Sequence, residues 1–232
     1  MVASAADAPA PGRKRRFRDL LPRVLSALVL APLALAALWY GFPWIDLLAA
    51  IAAPLMAGEW LRLSRGRLTV RVLGFVYIGA ALLALLWLRH QPILGRETVL
   101  WLMVCVWATD IGAYFVGSSV GGAKLAPTIS PGKTWSGLIG GMCWAAVASA
   151  AAGLLFGQGE TWTLALIGAV LGVVSQLGDL MKSHAKRRAG VKDSGRLIPG
   201  HGGILDRVDG LIAVLVVVAL ARLAFGGQWP WA

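Results

Sequence analysis

The sequence predicts an all-α, polytopic membrane protein with about seven transmembrane helices and a cytoplasmic N-terminus, and three observations carry that prediction. Apolar residues make up 58% of the 232-residue chain and charged residues 14%, a balance that a soluble domain of this length does not show. Apolar runs repeatedly approach the roughly 20 residues needed to cross a hydrocarbon core, with no alternating strand pattern to compete with them. Lys and Arg gather in every second connection, as they do in cytoplasmic loops.

Residues 1–19 carry Arg13, Lys14, Arg15, Arg16 and Arg18 behind an Ala- and Pro-rich start, a composition expected of a disordered basic tail on the cytoplasmic side. The first span falls at residues 21–40. It ends on Trp39 and Tyr40, an interfacial aromatic pair that suits an anchored helix better than a cleaved signal peptide. Spans at 45–63 and 72–88 follow, separated by Arg62, Arg65, Arg67 and Arg71. After an opposite turn holding Arg89 and Arg96 come spans at 99–117 and 134–156, with Lys124 and Lys133 between them. Residues 157–162 hold no basic residue, and spans at 163–181 and 211–225 complete the set. Residues 20–98 thus form an N-terminal set of helices, and 99–232 the region expected to carry the chemistry.

The net charge of +11 would suggest nucleic acid in a soluble protein. Here cytoplasmic loops facing anionic headgroups account for it, and no nucleic-acid partner is expected. Cys105 and Cys143 each lie inside an apolar span, which makes them packing residues rather than a disulfide or metal framework.

Chemistry concentrates in residues 183–210, where Lys186, Arg187, Arg188, Lys192, Arg196 and Arg207 mix with Asp193, Asp206 and Asp209 between two apolar spans. Cations for anions and acids for a metal or protons suggest phosphate together with a divalent ion. Two further acids, Asp110 in WATDIGAYFVG and Asp179 in SQLGDLMKSHAKR, sit in or at the edge of apolar helices, where an acid is costly unless paired, hydrated or metal-bound. Asp179 has a plainer reading as an interfacial acid balanced by Lys182 or Lys186; against it, Ser183 follows one helical turn later on the same face. Asp206 and Asp209 have one too, as acids that favour a helix N-terminus. That reading does not explain Gly200, Gly202 and Gly203 around His201, a backbone able to approach a phosphate closely. Asp179 and Asp206, from separate helices, suit Mg2+, a hard cation that takes carboxylate and phosphate oxygens.

Residues 127–134, PTISPGKT, nearly spell a phosphate-binding P-loop, but Pro127 stands at its first glycine and no strand is expected before it. What survives is a cytoplasmic loop in which Ser130, Lys133 and Thr134 either bind phosphate or headgroup or simply shape a turn.

The run Ser183, Lys186-Arg187, Lys192-Asp193, Gly195, Pro199, His201-Gly202-Gly203, Asp206-Arg207 and Asp209 resembles the signature of the phosphatidate cytidylyltransferase (CDP-diacylglycerol synthase) family. WATDIGAY at 107–114 is similar to that family's Asp-containing helix, and SPGKTWSG at 130–137 to its Ser-Pro-basic-Lys-Thr loop. The likeness covers roughly residues 107–209. Gly132 stands where a basic residue is usual, Ser136 where a Glu is usual, and Lys182 where an acid is common. The chain is also short for the family, which implies fewer N-terminal spans.

The resemblance implies a reaction in which CTP and phosphatidate give CDP-diacylglycerol and pyrophosphate, with Mg2+ required and a second cation such as K+ optional. It implies a multi-pass protein of the cell inner (cytoplasmic) membrane, an active site facing the cytoplasm, and an optional homodimer. An ionised lipid phosphate is already a nucleophile, so positioning and charge neutralisation should dominate. On this reading Asp179 and Asp206 hold the metal with Ser183 as an added oxygen. Lys186, Arg187, Lys192 and Arg207 bind phosphates. His201, Gly202 and Gly203 shape the nucleotide turn, Asp193 and Asp209 orient the basic groups or extend the metal shell, and Asp110 supports the polar cavity. Three alternatives remain open: a CTP-dependent lipid kinase, cytidylyl transfer to another lipid phosphate, and an ion-coupled carrier without catalysis.

Overall fold

Hydropathy and helix coincide in the computed structural model, which describes residues 13–191, 193–195 and 202–226. Among them are seven helices: α1 (Arg13–Tyr40), α2 (Trp44–Leu63), α3 (Leu68–Arg89), α4 (Gly95–Val120), α5 (Trp135–Phe156), α6 (Thr161–Arg188) and α7 (Leu205–Phe225). The six from α2 to α7 are each long and apolar enough to cross a membrane, and α1 adds an apolar stretch at Leu28–Tyr40. The protein is therefore an all-α, multi-pass membrane protein, helices being the elements that satisfy every backbone group within lipid. Helix α1 begins at Arg13, inside the stretch 1–19 expected as a disordered tail; residues 1–12 of that stretch lie outside the described ones.

One connection departs from expectation. Between α4 and α5 the chain forms an antiparallel hairpin of β1 (Lys124–Ala126) and β2 (Ser130–Thr134), with Lys124 opposite Thr134 and Ala126 opposite Ser130. A strand does precede Pro127, then, contrary to the sequence reading. Its partner is the adjacent strand of a hairpin, so the P-loop arrangement of strand, phosphate loop and helix is not formed.

Small residues set how closely α4, α5 and α6 approach. A Cβ on Gly137 would stand 2.9 Å from the carbonyl of Ala113, and one on Gly141 2.9 Å from that of Thr109. These glycines serve close packing of α5 on α4 within the chain. Trp101 of α4 donates to Ser149 Oγ of α5 at 2.9 Å, and Ser149 donates to the Leu164 carbonyl of α6 at 2.6 Å, a polar thread through an otherwise apolar core. A second apolar cluster of Met56, Ile78, Ala81, Leu205 and Ile212 joins α2, α3 and the start of α7. Leu83, Val147, Leu155 and Leu220 point outward and are exposed, as side chains facing lipid would be.

The two ends of the bundle differ in chemistry. At one, Arg89 donates to the carbonyls of Leu38 and Trp39 at 2.6 and 3.0 Å, and Arg96 lies 4.5 Å over the Trp39 ring, so both arginines serve the C-terminus of α1. At the other end α2 and α6 finish, α7 begins and the hairpin folds over.

Candidate active site

Helix α6 continues past the expected end of its span to Arg188, which places Gln176, Asp179, Ser183 and Lys186 at helical spacing on one face, with Lys182 beside them. Helix α7 begins at Leu205, so Asp206 and Asp209 occupy its first turns. The hairpin supplies Lys133 from β2.

These elements meet through charge. Lys133 Nζ lies 2.6 Å from Asp179 Oδ2 and donates to Gln176 Oε1 at 2.7 Å, fastening β2 to α6. Ser183 Oγ donates to the other Asp179 oxygen at 3.3 Å. The carboxyl groups of Asp179 and Asp209, one from each helix, come within hydrogen-bonding range of each other. Lys182 pairs with Asp209 Oδ2, stands 3.1 Å from Asp206 Oδ1 and donates to the Leu205 carbonyl at 3.1 Å. Lys186 reaches Asp206 Oδ1 at 2.9 Å. Asp110 of α4 lies within Coulombic range of Lys133, Asp179, Lys182 and Asp209. The buried hydroxyl of Tyr77 on α3 lies within that range of Asp209.

Asp206 is saturated. Oδ1 faces two ammonium groups, while Oδ2 accepts from Ser194 N at 2.8 Å, Ser194 Oγ at 2.9 Å and Gly203 N at 3.2 Å. Its geometry is that of an anchor for the glycine turn and the lysines, with little left to offer a metal. Asp179 and Asp209 have fewer partners, Lys133 and Ser183 for the one and Lys182 and the Gly210 amide for the other, and two like charges near each other favour a cation between them. Among the described residues no group of three or more His, Cys, Asp or Glu side chains forms a ready-made metal cage. Two carboxylates with a nearby hydroxyl still fit Mg2+, which commonly takes one or two carboxylates and fills its shell with water and phosphate oxygens.

The other expected residues are spread around this core. Gly202 adopts φ +83° beside Asp193, which is exposed, and a Cβ on Gly202 would stand 3.0 Å from Asp206 Oδ2. Gly203 has no room for a side chain, because a Cβ there would run into Ser194 Oγ and the Glu59 carboxyl. Arg187 is exposed and donates to the Ile129 carbonyl at 3.1 Å, tying the hairpin tip to α6. Arg207 is exposed on α7. Ser130 lies half-buried at the start of β2, paired with Ala126. Thr134 caps α5: its Oγ1 accepts from Gly137 N at 3.1 Å and bonds Ser136 Oγ at 3.0 Å. Lys192 and His201 lie outside the described residues.

Of the participants that the sequence reading did not single out, among them Gln176, Ser194 and Tyr77, two bear most on the site. Lys182, noted only as a departure from a family pattern or a balance for Asp179, is the cation that neutralises the α7 acids. Glu59 of α2 accepts hydrogen bonds from Ile204 N and Leu205 N at 2.8 and 2.9 Å, and its Oε2, 2.9 Å from Ser194 Oγ, shares that one hydroxyl proton with Asp206. Its signal was present: an acid within an apolar span, which deserved the reading given to Asp110 and Asp179.

The sequence model of the cytidylyltransferase family matches residues 66–225. The phosphatidate cytidylyltransferase of Brucella suis biovar 1 is 44% identical over 181 residues, 78% of this chain and 66% of that protein. The protein of the same name from Pseudomonas aeruginosa is 38% identical over 213 residues, covering 90% of this chain and 74% of its own length. That of Rickettsia bellii is 35% identical over 207 residues, 86% and 89% of the two chains. The match thus spans just under two thirds of the Brucella protein.

Proposed function

The chain belongs to the cytidylyltransferase family, and on that premise we propose that it transfers the cytidylyl group of CTP to phosphatidate, giving CDP-diacylglycerol and pyrophosphate. The observation that carries this reading is the cluster where α6 and α7 meet: Asp179 paired with Lys133, Asp209 with Lys182, and Asp206 with Lys182 and Lys186. Three lysines against Asp179, Asp206 and Asp209 leave the cluster close to neutral, and Asp110 adds one negative charge. Asp179 and Asp209 would hold a divalent ion that supplies positive charge there, and Lys133, Lys182 and Lys186 would bind the phosphates of the nucleotide.

A lipid phosphate oxygen attacks the α-phosphorus of CTP, a new P–O bond forms, and the bond from the α-phosphorus to the oxygen bridging it to the β-phosphorus breaks, releasing pyrophosphate. No general base is needed, since the lipid phosphate is already ionised. Lys133, Lys182 and Lys186 would bind and orient the phosphates as point charges. Asp206 would hold Lys182, Lys186 and the Gly203 turn in place, and Asp110 and Tyr77 would line the polar cavity. Mg2+, held between Asp179 and Asp209 with Ser183 near, would neutralise charge on the triphosphate. We place this ion on Asp209, which has Lys182 and the Gly210 amide as partners, rather than on Asp206, whose oxygens face Lys182, Lys186, Ser194 and Gly203 together. Lys192, His201 and Arg207 would complete the proposed phosphate and nucleotide contacts, and Asp193 would orient the basic groups or extend the metal shell.

The site is proposed to face the cytoplasm from the inner membrane. Arg62, Arg65, Arg67, Lys124 and Lys133 share its end of the bundle, as cytoplasmic loops would. Phosphatidate would enter sideways between helices, its acyl chains remaining in lipid. A homodimer is part of the same reading and rests on the family resemblance alone.

The test is to incubate detergent-purified protein with phosphatidate, Mg2+ and CTP carrying label on the α-phosphate or, separately, on the γ-phosphate. Transfer of α-label to lipid with release of γ-label in pyrophosphate is expected. γ-Label in lipid with α-label left in CDP would replace this reading with a lipid kinase, and no transfer of either label would leave a carrier.

A further inference from the structure

We propose that Glu59 is a positioning residue for this reaction: an α2 carboxylate that ties both feet of the α6–α7 loop together and fixes the start of α7, and with it Asp206 and Asp209. The proposal rests on the function proposed above. Helix α2 lies outside residues 66–225, so the family match does not point to it.

Glu59 is 4% exposed. A buried carboxylate in an apolar helix is expected to have a basic partner, yet among the described residues its hydrogen-bond partners are uncharged. They are also informative. Ile204 N and Leu205 N are among the first N–H groups of α7, which no helical carbonyl can satisfy and which carry the positive end of the helix dipole. Ser194 lies on the other foot of the loop, and its hydroxyl stands 2.9 Å from both Glu59 Oε2 and Asp206 Oδ2. Glu59 and Asp206 therefore share one hydroxyl, and Asp206 anchors Lys182 and Lys186.

Space around the carboxyl has been cleared for this arrangement. A Cβ on Gly203 would run into it, and one on Gly195 would stand 3.0 Å from Oε1. Only a carboxylate serves here. Glutamine offers one acceptor oxygen and would turn an NH2 group toward another N–H donor, leaving a buried donor unpaired. The expected result is a small displacement of the α7 acids, and misplacement on the order of 1 Å is enough to cost about 100-fold in rate.

The test uses the full-length protein in detergent, with Glu59→Gln, Ser194→Ala and the double variant. We expect Glu59→Gln to lower kcat, counted per folded protein by titrating CTP-binding sites, about 30-fold with KM for CTP within about twofold; loss of folded protein would lower the number of sites instead. Ser194→Ala should lower kcat by about fivefold. The double variant should be no worse than Glu59→Gln, because both remove one connected network. Hydrogen exchange at the Ile204 and Leu205 amides should quicken at least about tenfold in Glu59→Gln, with the middle of α7 unchanged. Wild-type kcat in Glu59→Gln, effects that multiply in the double variant, or amides that stay protected would each overturn the proposal. If Glu59→Gln does not fold, unchanged kcat in Ser194→Ala overturns it instead. Should the wild type form no CDP-lipid, the proposed reaction fails, while the exchange of Ile204 and Leu205 still decides whether the clamp exists.

Discussion

Asp206 and Asp209 sit three residues apart on one helix and do different work, a difference that activity measurements can separate. Asp206 accepts three hydrogen bonds on Oδ2 and two ammonium groups on Oδ1. Asp206→Asn should lower kcat about 100-fold while leaving the Mg2+ concentration for half-activity unchanged, because it loosens the lysines rather than a metal ligand. Asp209→Asn should raise that Mg2+ concentration at least about tenfold, an outer-shell or ligand-sized loss, and excess Mg2+ should recover part of the rate. Equal Mg2+ dependence in the two variants would count against the division. Lys182 is 9% exposed, and its removal strands Asp209 while Asp206 keeps Lys186. Lys182→Met should therefore destabilise the protein by about 3 kcal/mol, visible as a lower melting temperature in detergent. The acids and Lys186 were legible because they stand close together in sequence at helical spacing. Lys182's partners were not, since they depend on how α6 packs against α7. Glu59 meets the loop across more than 130 residues of sequence, and with Arg62 one turn on it reads like an ordinary interfacial acid.

Among the elements, the β1–β2 hairpin is the part that the sequence least announced. A three-residue strand gives no alternation to count, and the apolar helices on either side dominate the pattern. Its function as a carrier of Lys133 depends on three ties: Lys133 to α6, Arg187 to the Ile129 carbonyl, and Thr134 at the start of α5. Thr134 was expected to bind substrate or to shape a turn, and its hydroxyl lies at the helix cap. Thr134→Ala should cost about 1 kcal/mol of stability with KM for CTP unchanged, and Thr134→Ser should restore the wild-type melting point. A rise in KM without loss of stability would return Thr134 to the substrate. The apolar spans were readable because they need length and apolarity and little else, while α1, α6 and α7 run about six to eight residues beyond them into charged ends. The closeness of α4 and α5 was readable only as a run of small residues, Gly137, Gly140 and Gly141, until their neighbours on α4 were known.

The whole molecule places its basic connections, its hairpin and its acid–lysine cluster at one end of a helical bundle, and Arg89 and Arg96 at the other. If the first end faces the cytoplasm, Gly132→Cys on the hairpin and Thr161→Cys at the start of α6 report opposite sides. In a Cys143→Ser background, with Cys105 buried, an impermeant thiol reagent on intact cells should label Thr161→Cys and spare Gly132→Cys. The reverse pattern would put the site outside, where no CTP is supplied. Function enters at this scale too, since neither the carboxylate pair nor the lysines amount to a site until α6, α7, the hairpin and α2 are assembled. The central claim is that the carboxylates of α6 and α7 together hold the cation that serves the nucleotide. Binding of Mn2+ in place of Mg2+, followed by electron paramagnetic resonance in the presence of CTP, tests it most directly. Wild-type protein and Asp206→Asn should bind one tightly held ion per active site, and Asp179→Asn and Asp209→Asn should each weaken that binding at least about tenfold. Undiminished binding in Asp209→Asn, with loss in Asp206→Asn, would contradict the account.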